Sequence, residues 1–141
     1  SAASDVYKRQ DLDADGLSDV WEMQYFSGIA TAAAQAQLDA DGDGLVNWVE
    51  QALARNPTRA DDAGAVLAVP QKVGNAWVMS YQRSSLVAVD CVVEVSPNLA
   101  ADSWSSATVT QQRLSTGEPE IWQASCVSAA PQLFFRLRLQ R

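Results

Sequence analysis

The 141-residue chain contains no histidine. That removes the commonest general base, the commonest transition-metal ligand and any imidazole pH switch. Cations are scarce as well. Ten Lys and Arg stand against seventeen Asp and Glu, a formal net charge of −7, which argues against nucleic acid and anionic membrane as partners. No apolar run approaches the length needed to span a bilayer. The two cysteines, with no histidine beside them, fall short of a tetrahedral zinc set. Serines are plentiful, but no imidazole exists to activate one, so the chain is not expected to be an enzyme. What the chain does have is apolar material. At 48% it suffices for a packed core, so disorder throughout is not expected.

The charge is unevenly spread. Residues 11–64 carry eleven acids opposed only by Arg55 and Arg59, whereas acids and bases nearly balance from residue 65 onward. An acidic front joined to a near-neutral rear points to two parts with different jobs. The opening SAASDVYKRQ begins without methionine, shows no signal peptide and resembles a translated sequencing adaptor. Residues 1–10 are therefore expected to be a non-native leader on a processed or truncated piece, and carry no weight in the fold expectation.

Two similar units follow, DLDADGLSDVWEMQYF (11–26) and DADGDGLVNWVEQALA (39–54). Each is an acidic, glycine-containing loop running into a short helix. The spacing predicts a first helix over about residues 19–27, stopping near Gly28, and a second over about 47–55, with Pro57 forcing Asn56 out of helical geometry. TAAAQAQL (31–38) is either a short helix or linker.

Within each twelve-residue loop the oxygens recur at fixed positions. Calcium wants six to eight oxygen ligands at about 2.3–2.6 Å from a backbone that wraps around it. The first loop offers Asp11, Asp13 and Asp15 at positions 1, 3 and 5, the Leu17 carbonyl at 7, Asp19 at 9 and Glu22 at 12. The second repeats this with Asp39, Asp41, Asp43, the Leu45 carbonyl, Asn47 and Glu50. Gly16 and Gly44 stand at position 6, where the chain must turn sharply. Five fixed residue types at set spacing arise by chance on the order of once per million windows, so two copies are not coincidence. Crowded carboxylates repel unless a cation neutralises them. Two Ca²⁺ would move the formal charge from −7 to about −3. The front half is accordingly expected to be poorly ordered until it binds calcium.

These loops resemble those of EF-hands, dockerins and, most closely, thrombospondin type 3-like repeats, through DxDxDGLxD followed by Glu. EF-hands usually place an apolar residue at position 8 to pair neighbouring loops; Val46 keeps that pattern and Ser18 breaks it. A full EF-hand also needs a helix before each loop, and none is expected ahead of Asp11. Dockerins tend to end their loops in Asp, unlike Glu22 and Glu50. The longer stretch resembles a module frequent near the C-termini of large secreted bacterial proteins, where a segment like VDCVVEVSPNLAADSW (89–104) often follows. The resemblance implies an extracellular or cell-surface setting.

Beyond a turn-rich linker at 57–64, six segments read as strands: 65–69, 76–82, 86–95, 104–110, 121–127 and 133–139. Val87, Val89, Cys91, Val93 and Val95 fall on one face of the third, and Leu133, Phe135, Leu137 and Leu139 on one face of the last, with Arg136 and Arg138 outward. Cys91 and Cys126 either form a disulfide or pack as two buried thiols. Trp77, Trp104 and Trp122 either build a sugar-stacking platform or belong to the core. Trp21 and Trp48, with Phe26 and Leu53, are expected to pack the helices against each other or against the sandwich. Asp90, Glu94 and Glu120 are expected at outward, solvated positions.

The expected fold is α+β: two calcium loop–helix units (11–56) packed beside a small antiparallel β-sandwich (65–141). The expected function is a non-catalytic, calcium-binding structural or adhesion-type module. The alternative is a binding module in which the helices dock a protein partner or the sandwich binds a glycan.

Overall fold

The computed structural model describes residues 6–60 and 67–141. It is mixed α and β, with both of its sheets antiparallel. Helix α1 spans Asp19–Phe26 and ends where Ser27 turns left-handed at φ 59°. A 3₁₀ turn follows at Ala32–Ala34, and helix α2 spans Asn47–Ala52. Helices of eight and six residues are too short to persist in water unaided. Neither has a side-chain cap at its N-terminus. In both, the first N–H is tied back instead: Asp19 N donates to Gln10 O (2.7 Å) and Asn47 N to Leu38 O (2.8 Å). Glu22 and Glu50 in the first turns add favourable charge against the helix dipole.

The strands are β1 (Gln71–Val73), β2 (Ala76–Arg83), β3 (Asp90–Ser96), β4 (Val109–Ser115), β5 (Glu120–Val127) and β6 (Phe134–Gln140). One sheet has the order β1-β2-β5-β4 and the other pairs β3 with β6. Period-two alternation turns Met79, Tyr81 and Ala124 of the first sheet onto Val93 of the second, with Cys91, Trp122, Phe135 and Leu137 around them. A polar bridge crosses between sheets beside this core. Tyr81 Oη donates to Gln111 Oε1, and Gln111 Nε2 donates to Cys91 O at 3.1 Å.

The strand expectations at 76–82, 121–127 and 133–139 match β2, β5 and β6 to within a residue at each end. Three others need correction. The expected strand at 65–69 lies partly outside the described residues; 67–69 are not strand, and the first strand is the exposed Gln71–Val73 hairpin arm turned by Gly74 at φ 63°. The third begins at Asp90 rather than residue 86, so Val87 and Val89 precede it, although Val89 is still buried. The expected strand at 104–110 is displaced to Val109–Ser115, a polar edge whose partner β5 supplies the pairing that its own composition does not advertise. The second helix stops at Ala52, before the expected residue 55, because Ala54 turns left-handed at φ 54°. Residues 6–8 form a helical turn ahead of the first loop, correcting the expectation that none precedes Asp11. They fall in the segment expected to be a leader, which carried no weight in the fold expectation.

The two halves meet through α2. Ser84 N donates to Ala52 O (2.8 Å), and Gln82 Nε2 donates to Leu53 O (2.9 Å) and Ala54 O (3.2 Å). The end of β2 thereby satisfies carbonyls that every helix C-terminus leaves open. Of the expected linker, residues 61–64 lie outside the described residues; Pro57 at its start is fully buried.

Candidate metal centres

The two acidic loops adopt matching backbones. Position 4 is left-handed in both, Ala14 at φ 58° and Gly42 at φ 79°, and so is position 6, Gly16 at φ 95° and Gly44 at φ 97°. Two of their hydrogen bonds match as well. Asp11 Oδ2 accepts from Gly16 N at 2.9 Å, as Asp39 Oδ2 does from Gly44 N at 2.8 Å. Asp15 Oδ1 accepts from Leu17 N at 2.8 Å, as Asp43 Oδ1 does from Leu45 N at 2.8 Å. The repeat read in the sequence is therefore a repeat of conformation.

In the first loop two overlapping trios converge, Asp11–Asp13–Asp15 and Asp13–Asp19–Glu22, each with carboxylate oxygens within 4.8 Å of one another. Asp13 belongs to both, so it links the two groups of expected carboxylates. In the second, Asp39, Asp41 and Asp43 converge within the same limit. Glu50 is fully buried but joins no such trio among the described residues, and Asn47, three residues before it on α2, is fully buried as well. Leu17 is buried, and Leu45 faces a groove with Trp48, Val49 and Leu53.

Glu22 is the most telling residue. It is fully buried, with no hydrogen bond of ordinary geometry to either carboxylate oxygen; the Ala30 N–H lies near enough only to favour its charge weakly. Burial, then the charges of Asp15 and Asp13, push its carboxyl up to about 7. Asp11 Oδ1, Asp19 Oδ2, Asp41 Oδ2 and Asn47 Oδ1 are likewise buried without a partner. The Asn47 amide is oriented by its other end: Nδ2 donates to Ala33 O (2.9 Å) and Gln35 O (2.8 Å). Asp13 and Asp41 are raised by desolvation, with neighbouring aspartate charges adding to it. Asp39 is lowered, because the N–H groups of Gly44, Gly42 and Asp43 point at it.

This donor set fits a hard cation. It is all oxygen, with no sulfur or imidazole, the chemistry that suits calcium or magnesium rather than zinc or copper. Oxygens sharing one Ca²⁺ lie at most about 5 Å apart, the spread the trios show. Buried oxygens without partners are costly in any protein, and here they cluster with the carboxylates. No protein-family model, curated protein or solved structure matches the chain.

Residues outside the repeat complete the surroundings, and sequence reasoning missed them. Arg141 follows β6, and its guanidinium lies over the Trp48 ring at 4.7 Å, while Nη1 reaches Asp15 O at 3.5 Å. A Cβ on Gly16 would come within 2.1 Å of that Nη1. Ala36 N donates to Asp15 Oδ2 at 3.2 Å. Neither residue type advertises such a role at any spacing.

Other candidates fare differently. Cys91 and Cys126 are free thiols, one in each sheet. Trp122 packs on the core and Trp77 pairs across from Cys126 on the same inner side, whereas Trp104 lies under Arg136, 4.4 Å from its guanidinium. The three do not share a face. Trp21 meets Tyr25 and Phe26 edge-on at 5.3 and 5.8 Å and lines a cavity with Gln51 and Ala54 at α2 and with Leu86 and Val87 of the β half. Trp48 faces β6 across Leu137 and Leu139. Glu94 and Glu120 are corrected from solvated to paired. Glu94 is buried beneath Arg136 (2.6 Å) and Arg138 (3.5 Å), and Glu120 is held low by Trp122 Nε1 and Arg113.

Proposed function

We propose that this chain is a non-catalytic structural module that binds two calcium ions, one per acidic loop, and thereby fixes its loop–helix half on its β-sandwich. The observation that carries the reading is Glu22, a fully buried carboxylate gathered with Asp13 and Asp19, exposed to the charge of Asp15 as well, and without a hydrogen bond of ordinary geometry. Such an arrangement is strongly repulsive unless a cation shares it. Asp11, Asp13, Asp15, Asp19 and Glu22 would hold the first ion, with Leu17 lending its carbonyl. Asp39, Asp41, Asp43, Asn47 and Glu50 would hold the second, with Leu45 in the matching role. A bound Ca²⁺ supplies positive charge and directional oxygen coordination, and no chemistry beyond that.

The remainder is the work of the chain's own residues. Helix α2 offers Asn47 and Glu50 at its start, while its closing carbonyls are held by Ser84 and Gln82 of the sandwich. A helix pinned at both ends acts as a strut, so order at the loops becomes order at the joint. The lack of histidine supports the non-catalytic part of the reading. The resemblance to thrombospondin type 3-like repeats supports placing the parent protein outside the cell, in a secreted or surface-bound bacterial protein, where millimolar calcium would keep such sites loaded. No helix among the described residues is long and apolar enough to cross a membrane. The glycan-binding alternative would need an aromatic face, and Trp77, Trp104 and Trp122 do not form one.

Isothermal calorimetry of the chelator-stripped protein tests the proposal. Two Ca²⁺ per chain are expected, falling to one in Glu22→Gln. No heat from the wild type, or an unchanged stoichiometry in the variant, overturns it.

A further inference from the structure

We infer that the two acidic loops bind their ions cooperatively, coupled through the main chain of residues 33–38 with Ala36 as the bridge. This rests on the calcium reading above and goes beyond it.

Paired loops can communicate where position 8 of one lies against position 8 of the other. Here Ser18 is occupied elsewhere, its hydroxyl donating to Lys8 O, and the described residues form no β-bridge between it and Val46. The connection runs by another route. Asp15, at position 5 of the first loop, has its two oxygens fixed by Leu17 N (2.8 Å) and Ala36 N (3.2 Å). The carbonyl of that same Ala36 accepts from Trp48 N at 3.1 Å, in the first turn of α2. Next to Trp48, Asn47 N donates to Leu38 O, and its Nδ2 donates to Ala33 O and Gln35 O. One short segment is therefore held by a ligand of the first loop at one edge and positions a ligand of the second at the other.

Beyond two turns of its own, Ala34 N to Thr31 O (3.1 Å) and Leu38 N to Gln35 O (3.0 Å), the segment has little else to order it. Its 3₁₀ turn is three residues long, uncapped, and buries only Ala34, with Ala36 buried just beyond. Fixing Asp15 at a loaded first loop orders Ala36. That in turn presents the Ala33 and Gln35 carbonyls that aim the Asn47 amide and leave its Oδ1 directed away from them. The entropy of arranging residues 33–38 is then lost once, for whichever ion arrives first, and the second binds to a site already shaped. Linkage requires the effect to be equal in both directions.

Calorimetry on wild type and three variants tests the coupling. Glu22→Gln disables the first loop, and the remaining site should bind at least about fivefold more weakly than the second ion binds to wild type. Glu50→Gln should weaken the first loop by a similar factor. Ala36→Pro removes the bridging N–H, and Gln35 already has the extended geometry (φ −75°, ψ 138°) that a residue before proline needs. It should retain two ions yet lose the cooperative step. Wild-type binding of two ions with each single-loop variant within about twofold of the wild-type constant overturns the coupling while leaving calcium binding intact. No wild-type binding at all overturns both. If Ala36→Pro fails to fold, the two single-loop variants still separate coupled sites from independent ones.

Discussion

Ala14 sits at φ 58°, where an L side chain is strained, while its counterpart Gly42 has no Cβ to object. Ala14→Gly should therefore stabilise the calcium-loaded protein by about 1 kcal/mol, less the extra chain entropy of glycine. A denaturant melt that shows destabilisation would mean that the strain is relieved some other way. Gly16→Ala should do the opposite, because its backbone is left-handed and its Cβ would displace the Arg141 guanidinium. Glu22 gives the pH dependence. Its carboxyl titrates near 7 in the fold against an ordinary value of 4.5, so in chelator the folded chain holds that proton more tightly than the unfolded one. The stability this group contributes is complete below about pH 4.5 and is lost as the pH rises through 7. In chelator the protein should melt at a lower temperature at pH 8 than at pH 6. In excess calcium the order should reverse, since proton and cation compete for the same oxygens. Melts that ignore pH in both conditions would remove Glu22 from the centre.

At the scale of elements, the short helices survive because other parts complete them. Gln82→Ala takes one amide from two carbonyls at the end of α2, and should cost about 1 kcal/mol by losing a C-terminal cap. Its decisive signature is faster hydrogen exchange in α2 with β2 itself unchanged. The sheets depend on a small core, and Met79, almost wholly buried at its centre, should cost about 2–5 kcal/mol when replaced by alanine. Glu94 illustrates how an outward strand position can still be buried. Cross-strand Arg136, its register partner, and Arg138 close over it, and Trp104 covers Arg136 in turn.

For the whole molecule, the two halves are linked at both ends of α2, by Ser84 and Gln82 at one and by Arg141 over Trp48 at the other. Under the proposed function, calcium at about a hundredfold above its dissociation constant would add about 2.7 kcal/mol per site to the folded chain. For a protein of this size, two sites should raise the melting temperature by about 10 °C or more over the chelated protein. Arg141→Ala should leave two ions bound while loosening the joint, a loss of about 0.5–1 kcal/mol for an exposed cation–π contact. Faster proteolysis between the halves at saturating calcium would report it; unchanged proteolysis would show that α2 alone holds the joint.

The acidic loops were legible in the chain itself, since their carboxylates lie within twelve residues and local spacing fixes which oxygens can meet. The helices that follow and three of the six strands could be read for the same reason: 3.6- and two-residue periods are local properties. What only the tertiary structure decided is what distant segments do to one another. Polar Val109–Ser115 becomes a strand because β5 is there to pair with it. Glu94 is buried because arginines 42 and 44 positions further along cross over it. Ala36, Ser84, Gln82 and Arg141 bear on the loops and on α2 through backbone and guanidinium contacts that no residue-type pattern encodes, because any side chain leaves an N–H in place and any exposed arginine looks alike in sequence.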